Sequence, residues 1–457
     1  MGHIQLKQIA AACALAAIGT GAGATDVFRI EGFGPVSRAM GGTASAYDVG
    51  AAGMMSNPAT LSLMAPGAQL HLGLDVVTTD ITVRNGATGE TASSDTHGSN
   101  RGPYAAPELA YTRRAGAWTL GVGAFAQGGL GTEYGNASFL SKTTSGANSQ
   151  LENSSRLLVL NIPFAASYDV DDKLSVGGSV DAMWAGLNLN LLLGADQVGA
   201  LIGGGRVNGS LLPVLGSLPA LDAAHFSLTK NQPIASGIDA WGVGAKLGMV
   251  YKLSAATTLG GSYAFKSKLS DLDGNATLTA LDRVAGKVPL TGKLTIRDFQ
   301  MPASLTVGVS QRIDDGLMVT ADLSRVFWKD VMRNFDVGFV ADGGGTLNIL
   351  LPQDYRDQTV LALGAAWRSG DWTLRAGARV ASAALQPALL FAVIPATPRK
   401  HVSAGASYDF TPQDAVHVAY SHACEQSTST AGLPTTAVPI VTTHAQNNVT
   451  VAYTRRF

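Results

Sequence analysis

Trp241-Gly242-Val243-Gly244-Ala245-Lys246-Leu247-Gly248-Met249-Val250-Tyr251 alternates strictly, with Trp241, Val243, Ala245, Leu247, Met249 and Tyr251 on one phase. The other phase holds glycines, Lys246 and Val250. Successive side chains of a strand point to opposite faces, so one face of this stretch is apolar and the other is small or polar. Three further segments repeat the pattern. Leu174, Val176, Val180, Ala182 and Trp184 alternate with Ser175, Gly177, Ser179, Asp181 and Met183. Val402, Ala404, Ala406, Tyr408 and Phe410 alternate with Ser403, Gly405, Ser407 and Asp409, and Val449, Val451, Tyr453 and Phe457 with Asn448, Thr450, Ala452 and Thr454.

Composition says what the apolar face meets. Charged residues make up 14% of the 457-residue chain, against about 25% in ordinary soluble proteins, and the 54 glycines are in excess. The chain opens with Lys7, an apolar stretch from Ile9 to Ile18, and small residues at Ala22, Gly23 and Ala24, the layout of a cleavable signal peptide over residues 1–24. Cys13 follows alanines as in a lipoprotein signal, but the apolar stretch runs on past it. After cleavage Cys424 is the only cysteine, so no intramolecular disulfide forms. No run of 18 apolar residues follows, which removes transmembrane helices. An exported, charge-poor chain without spanning helices points to a transmembrane antiparallel β-barrel, because only helices and closed barrels satisfy every backbone group in lipid. A net charge of −1 argues against a nucleic-acid partner.

Across the chain, strand starts are predicted near residues 68, 104, 118, 156, 174, 237, 258, 293, 317, 355, 372, 401, 416 and 447, about fourteen strands. Short turns at 113–116, 169–173, 253–257, 312–316, 368–371 and 411–414 alternate with long connections at 85–103, 131–155, 189–236, 270–292, 329–354, 381–400 and 422–446. By the rule for such barrels the turns are periplasmic and the long connections face outward. Residues 25–67 precede the barrel, 68–457, and their Gly/Ala-rich composition suits a plug, or hatch, in the lumen. The connection from Leu189 is unusually apolar, with Leu191, Leu192, Leu193, Leu201 and Ile202, and apolar surface facing water marks a binding site.

Several residues resemble those of the FadL-type family of outer-membrane transporters for long-chain fatty acids and hydrocarbons. Phe28 to Gly34, Arg38-Ala39-Met40-Gly41-Gly42-Thr43-Ala44, Asp48 and Asn57-Pro58-Ala59 are similar to the family's hatch. Trp118 to Tyr134, with Phe125-Ala126-Gln127-Gly128-Gly129-Leu130, is similar to its third strand and glycine-marked kink, and Pro395 to Tyr408 to its pre-terminal strand, without the acidic residue often found after that proline. The resemblance implies a hatch-plugged barrel with an apolar capture groove among the outer loops. It also implies a lateral wall opening at Phe125, Gly128 and Gly129, through which a lipophile leaves sideways into the outer-membrane lipid. Each buried methylene would contribute ~0.8 kcal/mol to capture.

Blander readings stand beside these. Gly128 and Gly129 also read as a strand end, and Asn57-Pro58 as a turn. Lys246, Lys266, Arg375 and Arg379 fall on the lumen phase, where they would contact a fatty-acid carboxylate or pair with Asp181 and Asp322. Phe457, with Arg455 and Tyr453 before it, resembles the signal read by the barrel assembly machinery; otherwise it is an interface aromatic. No metal-ligand spacing, cofactor motif or catalytic constellation emerges, so the expectation is a transporter without cofactors and not an enzyme. The alternatives are a general diffusion porin and an outer-membrane hydrolase.

Overall fold

The computed structural model describes residues 27–95, 103–228 and 237–457; the expected signal peptide and Cys13 lie outside them. Their backbone forms a closed antiparallel ring. In chain order its strands are β1 Gly67–Asn85, β2 Tyr104–Ala115, β3 Trp118–Glu133, β4 Ser154–Asp169, β5 Leu174–Gly194, β6 Ile238–Lys252 and β7 Thr257–Ala264. They continue as β8 Ser304–Arg312, β9 Leu317–Val326, β10 Gln358–Ser369, β11 Trp372–Ala381, β12 Lys400–Asp409, β13 Asp414–Thr430 and β14 Ile440–Arg456. Each pairs with the next. β14 returns to β1 over Gln69↔Arg456 to Asn85↔Ile440, which leaves no free edge.

Alternation sets which way each side chain points. Trp241 is 59% and Leu247 57% exposed toward lipid, whereas Lys246 between them is 4% exposed and Asp181 on the neighbouring strand 1%. Aromatic pairs sit at the turn end of the wall, Trp118 with Tyr168 and Trp372 with Tyr408, each with centroids 4.7 Å apart. Such pairs form the girdle at a membrane interface.

Several expected connections are strands instead. Among the described residues the sheet contains 22 strands, eight more than the ring (22 − 14). The stretch predicted to open a wall strand at 293 lies in an outer hairpin, Leu272–Asp282 with Gly286–Arg297, and the wall strand there is Ser304–Arg312. A second hairpin, Asn334–Ala341 with Thr346–Pro352, occupies most of the expected connection 329–354. β14 begins at Ile440, ahead of the expected 447, so the connection 422–446 shrinks to residues 431–439. Leu189 to Gly194 continues β5 and pairs with Leu221–Leu228. These runs alternate as wall strands do, and sequence alone does not show where a long strand leaves the bilayer.

Residues 27–66 lie inside the ring as short helical turns, Gly34–Ala39, Gly50–Ala52, Gly53–Ser56 and Pro58–Leu63. Their polar groups reach strands all around the wall. Gly41 N donates to Ser403 Oγ of β12 at 3.0 Å. Asp322 of β9 accepts from Ala44 N, Ser45 N and Ser45 Oγ. Ser310 Oγ of β8 donates to Ala46 O. Arg38, 1% exposed, bridges Glu31 and Asp75 of β1 at 3.0 Å each, and Asn448 of β14 donates to Glu31.

Candidate functional site

The outward hairpins and the ends of β4 and β5 surround a narrow apolar cavity. Phe28, Leu157, Leu187, Phe299, Phe335 and Phe391 are among its lining; Ser155 and Gln353 are its polar members, and among the described residues no charged side chain lines it. Outside it lies a wider groove of about 1250 Å³ with a mixed lining that includes Phe139, Leu192, Ile440, Glu90 and Lys142. Leu191, Phe391 and Val393 line both spaces, so these three side chains form the partition between them. A second apolar chamber is lined by Leu193, Leu201, Ile202 and Leu215.

The expected capture residues are therefore split. Leu191 and Leu192 face the groove, whereas Leu193, Leu201 and Ile202 belong to the second chamber, where helices Ala195–Gly203 and Leu212–Gly216 fold onto the sheet. Four of the five are buried, and Ile202 is exposed. Exposed loop surface was the expectation; strand pairing and helix packing bury it instead.

At its inner end the cavity reaches Phe28, where the wall ladder is interrupted. Pairing between β2 and β3 ends at Leu109 and Ala124, although both strands continue outward. Pairing between β3 and β4 shifts register between Ala126 and Gly128. In the sequence the alternation of Trp118, Leu120, Val122, Ala124 and Ala126 breaks at Gln127 to Gly131, and that break is this bulge, since one extra residue turns every later side chain to the other face. The vacated edge of β3 is taken by the chain's own N-terminal segment. Gly129 N donates to Phe28 O at 2.8 Å and Ile30 N to Gln127 O at 3.2 Å. Arg29 and Gly128 form an antiparallel bridge.

Gly128 has a specific cause. A Cβ there would lie 2.2 Å from Phe28 O, so any side chain collides with the segment beside it. The segment's backbone lies where the lateral opening is expected, and Gly128 lets the two backbones touch. Phe125, 1% exposed, turns inward and packs with Phe33, Met54 and Leu61 of the segment. Farther out the Tyr104 hydroxyl lies against Gly131, and Arg156 stands 5.2 Å over the Tyr104 ring.

The Asn57-Pro58-Ala59 turn is built by Asn57, which is fully buried. Its amide donates to Ser45 O at 2.7 Å and to Met249 O of β6 at 3.0 Å, and its Oδ1 accepts from Ala59 N at 3.1 Å. Gly41 and Gly42 have φ of +70° and +85°, and a Cβ on Gly42 would meet Glu31 O at 1.9 Å. A turn and a fixing point to the wall are thus the same residue.

The basic side chains singled out as carboxylate contacts do not line the apolar cavity. Lys246 is buried against Asp181, which also accepts from Asn161, itself bonded to Gln127 at the wall break. Arg379 Nη1 donates to Glu31 O at 3.0 Å, and Arg375 Nη1 to Ser407 Oγ. Asp322, expected as a partner for these cations, interacts with the charge of Arg379 and also accepts from Ala44 N and Ser45 N. Lys266 lies past the end of β7 and is exposed, off the lumen phase.

Sequence reasoning missed Phe391 and Val393. They stand in the outer connection 382–399, which dips into the barrel mouth, with Val393 O accepting from Thr132 Oγ1 and Ala392 O from Tyr134 Oη. The run Leu389-Leu390-Phe391-Ala392-Val393-Ile394 was as apolar as the 189–226 stretch and carried the same signal.

The solved structures most like this one include the Pseudomonas putida toluene transporter TodX, at 41% identity and TM-score 0.84 over 93% of this chain and 99% of that one. The Ralstonia pickettii toluene transporter TbuX is 44% identical, TM-score 0.80, over 93% and 99%. The monoaromatic hydrocarbon channel CymD is 38% identical, TM-score 0.75, over 94% and 99%. Outer membrane protein P1 of Haemophilus influenzae is 27% identical over 271 residues, 58% of this chain and 56% of that protein, so the match spans only about half of that relative. The family model described as outer membrane protein transport protein (OMPP1/FadL/TodX) matches residues 13–457, and the chain belongs to that family.

Proposed function

We propose that this outer-membrane barrel takes up small, uncharged hydrophobic molecules, with single-ring aromatic hydrocarbons as the preferred cargo. The cavity ending at Phe28 carries the reading. An ionised fatty acid would have to bury its carboxylate there without a cation, which is strongly unfavourable, whereas a neutral ring loses nothing. The relatives named as toluene transporters and a monoaromatic hydrocarbon channel point the same way.

In this reading the outer groove collects the lipophile, and movement of Leu191, Phe391 and Val393 admits it to the cavity. Release is lateral, through the wall beside Phe125, Gly128 and Gly129, into outer-membrane lipid. Residues 25–67 act as the hatch and 68–457 as the barrel, after removal of a signal peptide over 1–24. A segment bonded to so many strands argues against a general diffusion porin. The relatives, named as transporters and channels, favour transport over a hydrolase. Phe457, exposed beside the β1–β14 seam, would be the residue read by the barrel assembly machinery. The exposed Lys266 and the engaged Lys246, Arg375 and Arg379 are left without a carboxylate-binding role.

The test is equilibrium binding of toluene and of sodium laurate to the detergent-purified protein, with mass spectrometry of whatever copurifies. Saturable toluene binding that exceeds laurate binding at neutral pH supports the reading. Preference for laurate, or a copurifying fatty acid, overturns the preference for neutral rings.

A further inference from the structure

The second apolar chamber shares no lining residue with either the inner cavity or the outer groove. One face of each element around it supplies the walls. Val198, Leu201 and Ile202 stand at helical spacing on Ala195–Gly203, and Leu212 and Leu215 on Leu212–Gly216. Facing them are Leu278 and Ala280 of one outer hairpin and Leu347 and Ile349 of the other, each pair two residues apart and so on one face of its strand. Polar bonds fix the helices at their edges. Gln197 Nε2 donates to Pro434 O at 3.1 Å, Leu211 N to Thr346 O at 3.0 Å, Leu350 N to Arg206 O at 2.8 Å and Asn348 Nδ2 to Asn208 Oδ1 at 3.1 Å. Between these fixed points the apolar faces do not close fully. Ile202 is 39% exposed, and Val198, Leu212 and Leu215 are half-buried, so the chamber has its mouth beside Ile202.

The chemistry of the two apolar spaces differs. Among the described residues every side chain lining the chamber is apolar, and Phe226 is the one aromatic in it. The inner cavity carries the phenyl rings of Phe28, Phe299, Phe335 and Phe391 together with the polar Ser155 and Gln353. A space without polar side chains offers water no partners, stays dry and accepts small apolar molecules. An aromatic guest gains up to about tenfold per edge-to-face pair over area burial alone, which the inner cavity offers at several rings and the chamber at one. A saturated guest gains by contact area only, and aliphatic walls supply that as well as aromatic ones.

We propose that the chamber beneath helices Ala195–Gly203 and Leu212–Gly216 is a second lipophile site, off the uptake route, that takes neutral saturated hydrocarbons in preference to aromatic ones. The uptake reading runs through the groove and the inner cavity, so the chamber site goes beyond it and stands whether or not that route is correct. The protein then carries two apolar sites of different chemistry, and an arene and an alkane occupy them without competing.

Bromocyclohexane and bromobenzene, rings of like size that differ in saturation, test this on the full-length, detergent-purified protein. Crystals soaked in each locate the bromine by anomalous scattering, and headspace gas chromatography against protein-free micelles measures binding in solution. The bromine of bromocyclohexane should lie in the chamber against Val198 and Leu347, and that of bromobenzene in the inner cavity. At the concentration that half-fills the chamber, bromocyclohexane should leave toluene binding unchanged. Ala280→Phe sets a phenyl ring into the chamber and should abolish bromocyclohexane binding there with toluene binding unaltered, in protein whose folding is checked by heat-modifiable gel mobility. If that variant does not fold, Ile202→Lys, which sets a charge at the mouth, should weaken bromocyclohexane binding. Bromocyclohexane found only in the inner cavity or groove overturns the proposal, as do bromobenzene filling the chamber equally, competition with toluene, or undiminished binding in the folded variant. Binding at crystal concentration only, with none in solution, overturns it too. Bromocyclohexane in the chamber without any toluene binding overturns the uptake reading alone, whereas toluene binding without bromocyclohexane binding overturns the chamber site alone.

Discussion

Asn57→Ala should loosen the luminal segment while leaving the wall intact. One buried side chain makes three hydrogen bonds, two given to Ser45 O and Met249 O and one accepted from Ala59 N. Alanine leaves those groups without that partner in a place water does not easily reach, at a net cost of roughly 1 kcal/mol per bond, or about 3 kcal/mol in all. The wall ladders are untouched, so the cost falls on local opening of Ser45 to Leu63. An opening equilibrium shifted by that much makes amide exchange on the order of 100-fold faster in the affected segment. Hydrogen–deuterium exchange with mass spectrometry in detergent reads this directly, with peptides from β6 and β14 as internal controls. Faster exchange confined to the segment, together with raised ion conductance in planar bilayers, is the expected pair of results. Unchanged exchange over Ser45 to Leu63 in a folded variant would refute the assignment of Asn57 as the fastening point.

Other perturbations separate the remaining roles. Gly128→Val places a Cβ where Phe28 O now sits and should expel Phe28 to Ile30; a cysteine at Arg29, in a Cys424→Ser background, should react faster with a thiol reagent than in the parent. An unchanged reaction rate would show that the segment tolerates the side chain. Leu191→Ser, on the partition between groove and cavity, should weaken toluene binding roughly tenfold, since one buried leucine contributes ~1.5–3 kcal/mol, and Leu193→Ser should leave it nearly unchanged. Equal losses in both would place the binding site in the second chamber. Lys246→Ala strands Asp181 in the interior and should cost about 3–5 kcal/mol, seen as a lower temperature for the gel-mobility transition, with the preference for toluene over laurate unaltered. A changed preference would return Lys246 to the binding site.

Legibility differed between the wall and the cavity for a physical reason. Trp241 and Leu247 face lipid and Lys246 and Asp181 the interior because side-chain direction in a strand is local and follows from residue parity. The phase break at Gln127 to Gly131 was local too, and it is the observed register shift. What fills the break was not local: Phe28 to Ile30 comes from about a hundred residues earlier, and only the fold sets it against β3. Leu191 and Leu193, two residues apart on one strand, end in different chambers because Leu221–Leu228 and the helix Ala195–Gly203 close over them.

By itself, then, the sequence determined the class of structure, a charge-poor alternating chain that must close on itself, because unpaired backbone in lipid costs too much for an open edge to survive. It also determined which face of each wall strand meets the membrane. Only the tertiary structure decided that Asp322 grips Ala44 and Ser45, that Asp181 neutralises Lys246, and that residues 382–399 turn inward to place Phe391 and Val393 over the cavity. Those outcomes depend on which buried charges and apolar side chains meet across the lumen, and distance along the chain says nothing about who meets whom there.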